Sequence, residues 1–284
     1  MKYLTEISVF AAATVIVFAV LFFSGFIFQD AVCPDDNFDA ADYSMKSLLL
    51  KYQGDFQATL MNLSELAEET AYSASDEGLF GEDIQKILDL AETEIPGIAT
   101  IGIFDKNGIV TAISPESHNE IVGWDLSGTP VVSSMNEGMV PQMTDLFALS
   151  EGGYAASINY PVFSPEKEYT GFVSLTFDPY ILVNDYASML MNETGFQLMV
   201  LQTDGVVLYD SDINEVGKET FGNPMYDDFP KIPEFVKACT QSFSGEYEYK
   251  YLDKNLEKTV NKKAFWTTAG LYKTQWRLIC IREI

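Results

Sequence analysis

One histidine, His118, and three cysteines, Cys33, Cys239 and Cys280, are the only imidazole and thiol groups in this chain. A single histidine argues against Ser–His–Asp hydrolysis and against a multi-histidine metal centre. With no Cys-x-x-Cys pair, a structural zinc site is excluded as well. Carboxylates are the abundant reactive groups, in pairs such as Asp35-Asp36, Asp210-Ser211-Asp212 and Asp227-Asp228. Neighbouring acids in loops are normally solvated and face apart. Asp210 and Asp212 are spaced to share a strand face or to offer oxygens with Glu215, but the glycine and terminal glutamate of a known Ca²⁺ loop are missing. The reactive residues therefore predict no catalytic set, no metal site and no cofactor.

Charge narrows the partners. The 284 residues carry 42 acidic and 17 basic side chains, a net charge of -25. Such a balance excludes a nucleic-acid binder, which needs clustered Lys and Arg against phosphate. The only arginines are Arg277 and Arg282, so few bidentate forks exist for an anionic ligand. The excess acid lies before residue 231 and reads as a well-solvated surface. Apolar residues make up 47% of the chain, enough to rule out an acidic disordered polymer and to build a sizeable core.

The positioning elements begin at the N-terminus. Ile7 to Phe28 run without a charge for about 33 Å as a helix, enough to cross a bilayer core of about 30 Å. The run exceeds the usual signal-peptide core and no clean small-x-small site follows it, which favours an uncleaved signal-anchor over a cleaved signal. Lys2 places residues 1–6 inside and the bulk of the chain outside, a single-pass cell-membrane arrangement. No second run of spanning length and no output domain follow, so a signal is expected to pass to a separate partner. In an oxidising exterior Cys239 and Cys280 either pair or remain as two buried thiols; the sequence leaves both open.

Pro34-Asp35-Asp36-Asn37 marks a helix start. Met45, Leu49, Tyr52, Phe56, Leu63 and Leu66 then form an apolar seam at heptad-like spacing, with Thr59 in its polar slot. The seam packs either on its own chain or on a second copy, giving a possible homodimer through residues 36–72. A second helix is predicted over Glu82 to Glu94, ending at Ile95-Pro96-Gly97. An internal repeat follows. Ile101 to Ala112 and Met199 to Tyr209 each read as a strand, a polar turn closed by Gly108 or Gly205, and a second strand. Each is followed by Asn-Glu and an apolar-Gly stop, then by a crossover and further antiparallel strands. In the later unit Tyr247, Tyr249 and Tyr251 alternate with Glu246, Glu248 and Lys250, the period of a sheet with one wet face.

These stretches resemble the double Cache family, tandem PAS-like extracellular sensor domains. The matching motifs are FDKNGIVTA, IVGWDLSG, GGYAASINYPVF and TGFVSLTFDPYIL in the first unit, and TDGVVLYDSDINEVGKETF, SGEYEYKY and QWRLICI in the second. The resemblance implies an α+β (α/β) fold: an N-terminal transmembrane helix, a long helix, and two PAS-like units, each a central antiparallel sheet of about five strands flanked by helices. The implied organisation is a cytoplasmic stub at 1–6, an anchor at 7–28, helices over 34–94, a membrane-distal unit at 95–180, a linking helix at 181–194 and a membrane-proximal unit at 195–284. It also implies a small organic ligand in the distal pocket.

Amino-acid-binding members carry an arginine and an aromatic pair after the Asp-Leu-Ser turn. Asp125 to Val132 has neither, so that clamp is not expected here. Asp178 matches the family's amine-contacting carboxylate, yet Asp-Pro is equally an N-cap with proline at the first helical position. Trp124, Met143, Asp145, Tyr154 and Ala156 are the other pocket candidates: Tyr154 and Ala156 on one strand face, Trp124 and Asp145 in the crossover that lids it. The lack of arginine in this unit favours a neutral or cationic ligand. The resulting expectation is a membrane-anchored extracellular sensor rather than an enzyme. The alternative is a structural or interaction module with a filled pocket and helix-driven dimerisation.

Overall fold

The computed structural model describes residues 39–150, 152–253 and 258–284. The anchor over 7–28, the stub and the helix-start cluster at 34–37 lie outside the described residues. Among the described residues no helix is long and apolar enough to cross a membrane. Residues 44–284 form one unit by their contacts, and the sheets and sites below belong to it.

Helix α1 (Ala40–Glu77) is capped by Asp39, whose Oδ1 accepts from the amide of Ala41 at 2.8 Å. Its buried side chains are Met45, Leu49, Tyr52, Phe56, Leu60, Leu63, Ala67, Thr70, Ala71 and Ala74, with Leu66 beside them. From Met45 to Ala67 these advance by about 3.7 residues per step, the period of a straight helix packed on a surface rather than a heptad supercoil. Leu60 therefore fills the slot that the heptad reading gave to Thr59, and Thr59 turns its hydroxyl onto the carbonyl of Asp55. The seam packs on its own chain. It forms one core with residues of both sheets, including Ile101, Leu175, Val200 and Trp276, and is not free for a second copy.

Helix α2 (Glu82–Glu92) leads into a sheet made of β1 (Ile98–Asp105), β2 (Val110–Ser114), β3 (Gln142–Met143), β4 (Phe147–Ala148), β5 (Tyr154–Phe163) and β6 (Tyr169–Phe177). Its order is β2-β1-β6-β5-β3, with β4 as a short extra partner of β5. Helix α3 (Pro130–Gly138) lies in the crossover. Helix α4 (Pro179–Thr194) then leads to β7 (Gln197–Gln202), β8 (Val207–Tyr209), helix α5 (Lys231–Gln241), β9 (Gly245–Asp253), β10 (Lys258–Leu271) and β11 (Thr274–Glu283), in the order β8-β7-β11-β10-β9. The two sheets thus share one path, all of it antiparallel. Gly108 and Gly205, at φ +84 and +93, close the two hairpin turns where the repeat puts them.

Each sheet lays one face on the core shared with α1. Ile101 and Ile103 of β1, Ala156, Ile158 and Val162 of β5, and Val173, Leu175 and Phe177 of β6 do so in the first sheet; Leu198, Val200, Trp276, Leu278 and Cys280 do so in the second. Cys239 is buried in a different cluster, under α5 on the other face of the second sheet. Both thiols are free, and burial raises both pKa values, that of Cys280 to about 12.

Candidate functional site

The outer face of the first sheet, away from α1, is set by strand parity. Directly paired residues point to the same side, so the register defines rows across the sheet. One row is Pro161, Phe172, Phe104 and Val110. Phe104 and Phe172 stack at 4.7 Å, and Val132 and Met135 of α3 cover them. The next row is Gln142, Asn159, Ser174, Gly102 and Ile113, and the third is Ser157, Thr176 and Thr100. This middle region is covered and polar: Ser157, Asn159 and Ser174 are all buried. Asn159 Nδ2 donates to Ser157 Oγ at 3.0 Å, while its Oδ1 has no hydrogen-bond partner. The Ser134 hydroxyl of α3 donates to Gln142 Oε1, tying the covering helix to the edge strand.

The outer face of the second sheet has the same topology and the opposite filling. Met199, Ile279, Trp266 and Gly245 form the row topologically matching the first sheet's polar one. Leu201, Ile281, Phe235, Val236 and Tyr249 complete a packed cluster under α5. The Trp266 ring occupies the space a side chain would need at Gly245, since a Cβ there would lie 2.3 Å from it. Arg277, buried on this face, donates to the carbonyls of Cys239, Thr240 and Ser242 and so closes the C-terminal end of α5.

The residues singled out in the sequence do not converge on one pocket. Met143 pairs with Ile158 and, like Ala156, packs in the α1-side core. Tyr154 is half-buried with its ring against Gly217 of the second repeat, where a Cβ would come within 1.9 Å of it. Tyr154 and Ala156 share a strand face as expected, but it is the core face. Trp124 is 55% exposed and sits beside the edge strand β2, its carbonyl accepting from Val110. It stands outside β2, at the opposite edge of the sheet from β3. Asp145 is exposed and faces Asp204 of the second hairpin; desolvation and then that charge raise its pKa. Asp178 caps α4, its Oδ1 accepting from the amide of Tyr180 at 2.8 Å, and burial raises its pKa against that hydrogen bond. Of the two roles considered for it, the cap is present.

The polar residues Ser157, Asn159 and Ser174 were missed. Their signal is Ser-x-Asn inside the apolar run of β5 and a lone serine inside GFVSLTF, polar groups alternating with core residues on strands buried on both faces. Among the described residues no group of three His, Cys, Asp or Glu is placed to hold a metal ion, the Asp210–Asp212–Glu215 set included. Asp210 accepts from the amide of Asp212 and Glu215 accepts from the Tyr226 hydroxyl, so these acids bind their own loops.

Residues 58–179 match the family described as HK/GC/Chemotaxis protein-like, sensor domain. No curated protein sequence matches the chain. Among solved structures, an extracellular ligand binding receptor from Desulfohalobium retbaense is similar at 22% identity and a TM-score of 0.71. The match covers 84% of this chain and 40% of that receptor, so the chain spans less than half of its length. The ligand binding domain of the Pseudomonas aeruginosa amino acid chemoreceptor PctB, in complex with L-Gln, is similar at 15% identity and a TM-score of 0.58, covering 84% of this chain and 89% of that one. That of PctC from the same organism, in complex with GABA, is similar at 14% identity and a TM-score of 0.61, covering 85% and 98%. The fold is that of extracellular sensor domains of chemoreceptors and histidine kinases, in keeping with the double Cache resemblance of the motifs.

Proposed function

We propose that this chain is an extracellular sensor module, anchored through residues 7–28, that binds a small organic molecule between the outer face of its first sheet and the covering helix α3. The observation that carries this reading is the contrast between the two outer faces. The first keeps small and polar side chains, Gly102, Ser157, Asn159 and Ser174, under cover, and the second is filled with Trp266, Met199 and Ile279. Small ligands bound by structurally similar chemoreceptor domains, L-Gln and GABA, support the size class. The matched family is a sensor domain, and an enzymatic role has no support in the residues of this face.

The test is a melting screen of the full chain against amines, amino acids, small carboxylates and nucleobases. A ligand at 100 times its dissociation constant adds about 2.7 kcal/mol of stability. The response is expected to vanish in Ser174→Leu, which fills the outer face, and to survive in Trp124→Ala. A response that Ser174→Leu leaves intact places the ligand elsewhere and rejects the site.

Self-association through α1, inferred from the sequence, is retained in altered form. Leu50, Met61 and Tyr72 are exposed, three helical turns apart, on the side opposite the buried seam. A dimer through this stripe predicts that Met61→Glu shifts the sedimentation of the full chain toward the monomer without lowering its melting temperature.

A further inference from the structure

The covered polar row says more than that something binds. Asn159 is 0% exposed, and the acceptor half of its amide is unmatched. An unmatched buried acceptor destabilises the fold, whereas one met by a donor does not. The strand positions around Asn159 carry no ionic partner. The outward positions from Thr100 to Phe104 on β1, Ser157 to Pro161 on β5 and Phe172 to Thr176 on β6 hold no charged residue. Of the two arginines, Arg277 is committed to the end of α5 and Arg282 lies on β11 of the second sheet. Along β6 the nearest acid, Asp178, stands four residues beyond Ser174, about 13 Å along the strand, and holds the amide of Tyr180; past β3, Asp145 follows the Thr144 that bonds Ser157, but it is exposed and faces Asp204 of the second hairpin. A carboxylate or an ammonium group placed against Asn159 would therefore be desolvated without a counter-charge.

We infer that the site selects an uncharged ligand that presents an N–H or O–H donor, such as a carboxamide or an imide, to Asn159 Oδ1, with Ser157 fixing the amide of Asn159 from behind. This rests on the reading of the outer face as the ligand site and names its ligand class and its specificity residue. It narrows the neutral-or-cationic expectation to neutral. It also separates this chain from relatives that take charged amino acids.

The experiment uses the full chain and matched probes: propionamide, propionate and propylammonium, with uracil as a cyclic imide, each in the melting assay. Propionamide and uracil are expected to raise the melting temperature more than the two ions do. In Asn159→Leu that response is expected to weaken at least about tenfold in apparent affinity, while the unliganded melting temperature stays close to wild type, because removal of the unmatched acceptor offsets loss of the hydrogen bond to Ser157 Oγ. In Asn159→Asp the preference is expected to move to propylammonium. If propionate or propylammonium is the stronger stabiliser of the wild type and Ser174→Leu abolishes the effect, the ligand class is overturned and the sensor site stands. If the unliganded Asn159→Leu melts several degrees lower, Asn159 is a structural group and the inference falls. If no probe moves the wild type, the site reading and the inference fall together.

Discussion

The two sheets of this chain are built on one plan and finished differently. Both follow the same strand order, both lay an apolar face on α1, and both have an outer face covered by a crossover helix. In the second sheet the covered rows are closed by large side chains, with Trp266 lying over Gly245 and Phe235 stacked on Tyr249 at 4.6 Å. In the first, α3 packs on Phe104 and Phe172 at one end only, and the rows beyond them are mostly small or polar, Gly102, Ser157, Asn159, Ser174 and Thr176, with Ile113 at the edge. Interiors are close-packed, so covering polar groups that lack a partner is unfavourable unless something completes them. A duplicated fold can hold the same topology while one copy is packed for stability and the other is left to be completed by a ligand.

The largest effect is expected at Trp266. If the second outer face is purely structural, Trp266→Ala costs about 3–5 kcal/mol of stability, yet the ligand-induced rise in melting temperature is unchanged. A variant that loses ligand response in proportion would put the site in the second unit. A smaller effect sharpens the account at the end of the first sheet. Asp178→Ala removes the N-cap of α4 and should cost about 1 kcal/mol, while Asp178→Asn, which keeps an acceptor for Tyr180, should cost less. Chemical denaturation of both variants reads the difference, and an equal loss would mean that charge rather than capping is what Asp178 provides.

The smallest effect concerns pH. Burial raises the pKa of Asp210 above its ordinary 3.8, with the nearby Glu215 charge adding to it. An acid whose folded pKa is raised adds stability that is present in full below 3.8 and is lost as pH rises through the folded value. Asp210→Asn should therefore gain on the wild type as pH climbs from below 3.8 to neutrality, a gap that melts at several pH values measure. A constant gap would show that the carboxylate is compensated in the folded chain.

Much of this architecture was legible in the sequence because it rests on period and punctuation. The hairpin glycines Gly108 and Gly205, the alternation of Tyr247 and Tyr249, the cap-proline pair Asp178-Pro179 and the seam of α1 each encode local geometry that the fold keeps. The proposed site was less legible because it depends on parity. Moving by one residue along β5 exchanges Tyr154 and Ala156 for Ala155, Ser157 and Asn159, and so exchanges the core face for the outer one. β5 is buried on both faces, so hydropathy did not distinguish them; only the pairing of Asn159 with Ser174 and of Ser174 with Gly102 did. Trp124 lies apart from this face for a different reason. An aromatic next to a glycine turn reads as a lid, but its backbone continues the edge of β2 and leaves the indole in solvent.

We propose that the first sheet's outer face, and not the second's, is the ligand site. The most direct measurement is a crystal structure of the full chain with the probe that most raises its melting temperature. The probe is expected beneath α3, hydrogen-bonded to Asn159 and in contact with Ser174, with the Trp266 face unchanged. A probe seated against Trp266 and α5, or held anywhere that leaves Asn159 Oδ1 unmatched, would contradict it.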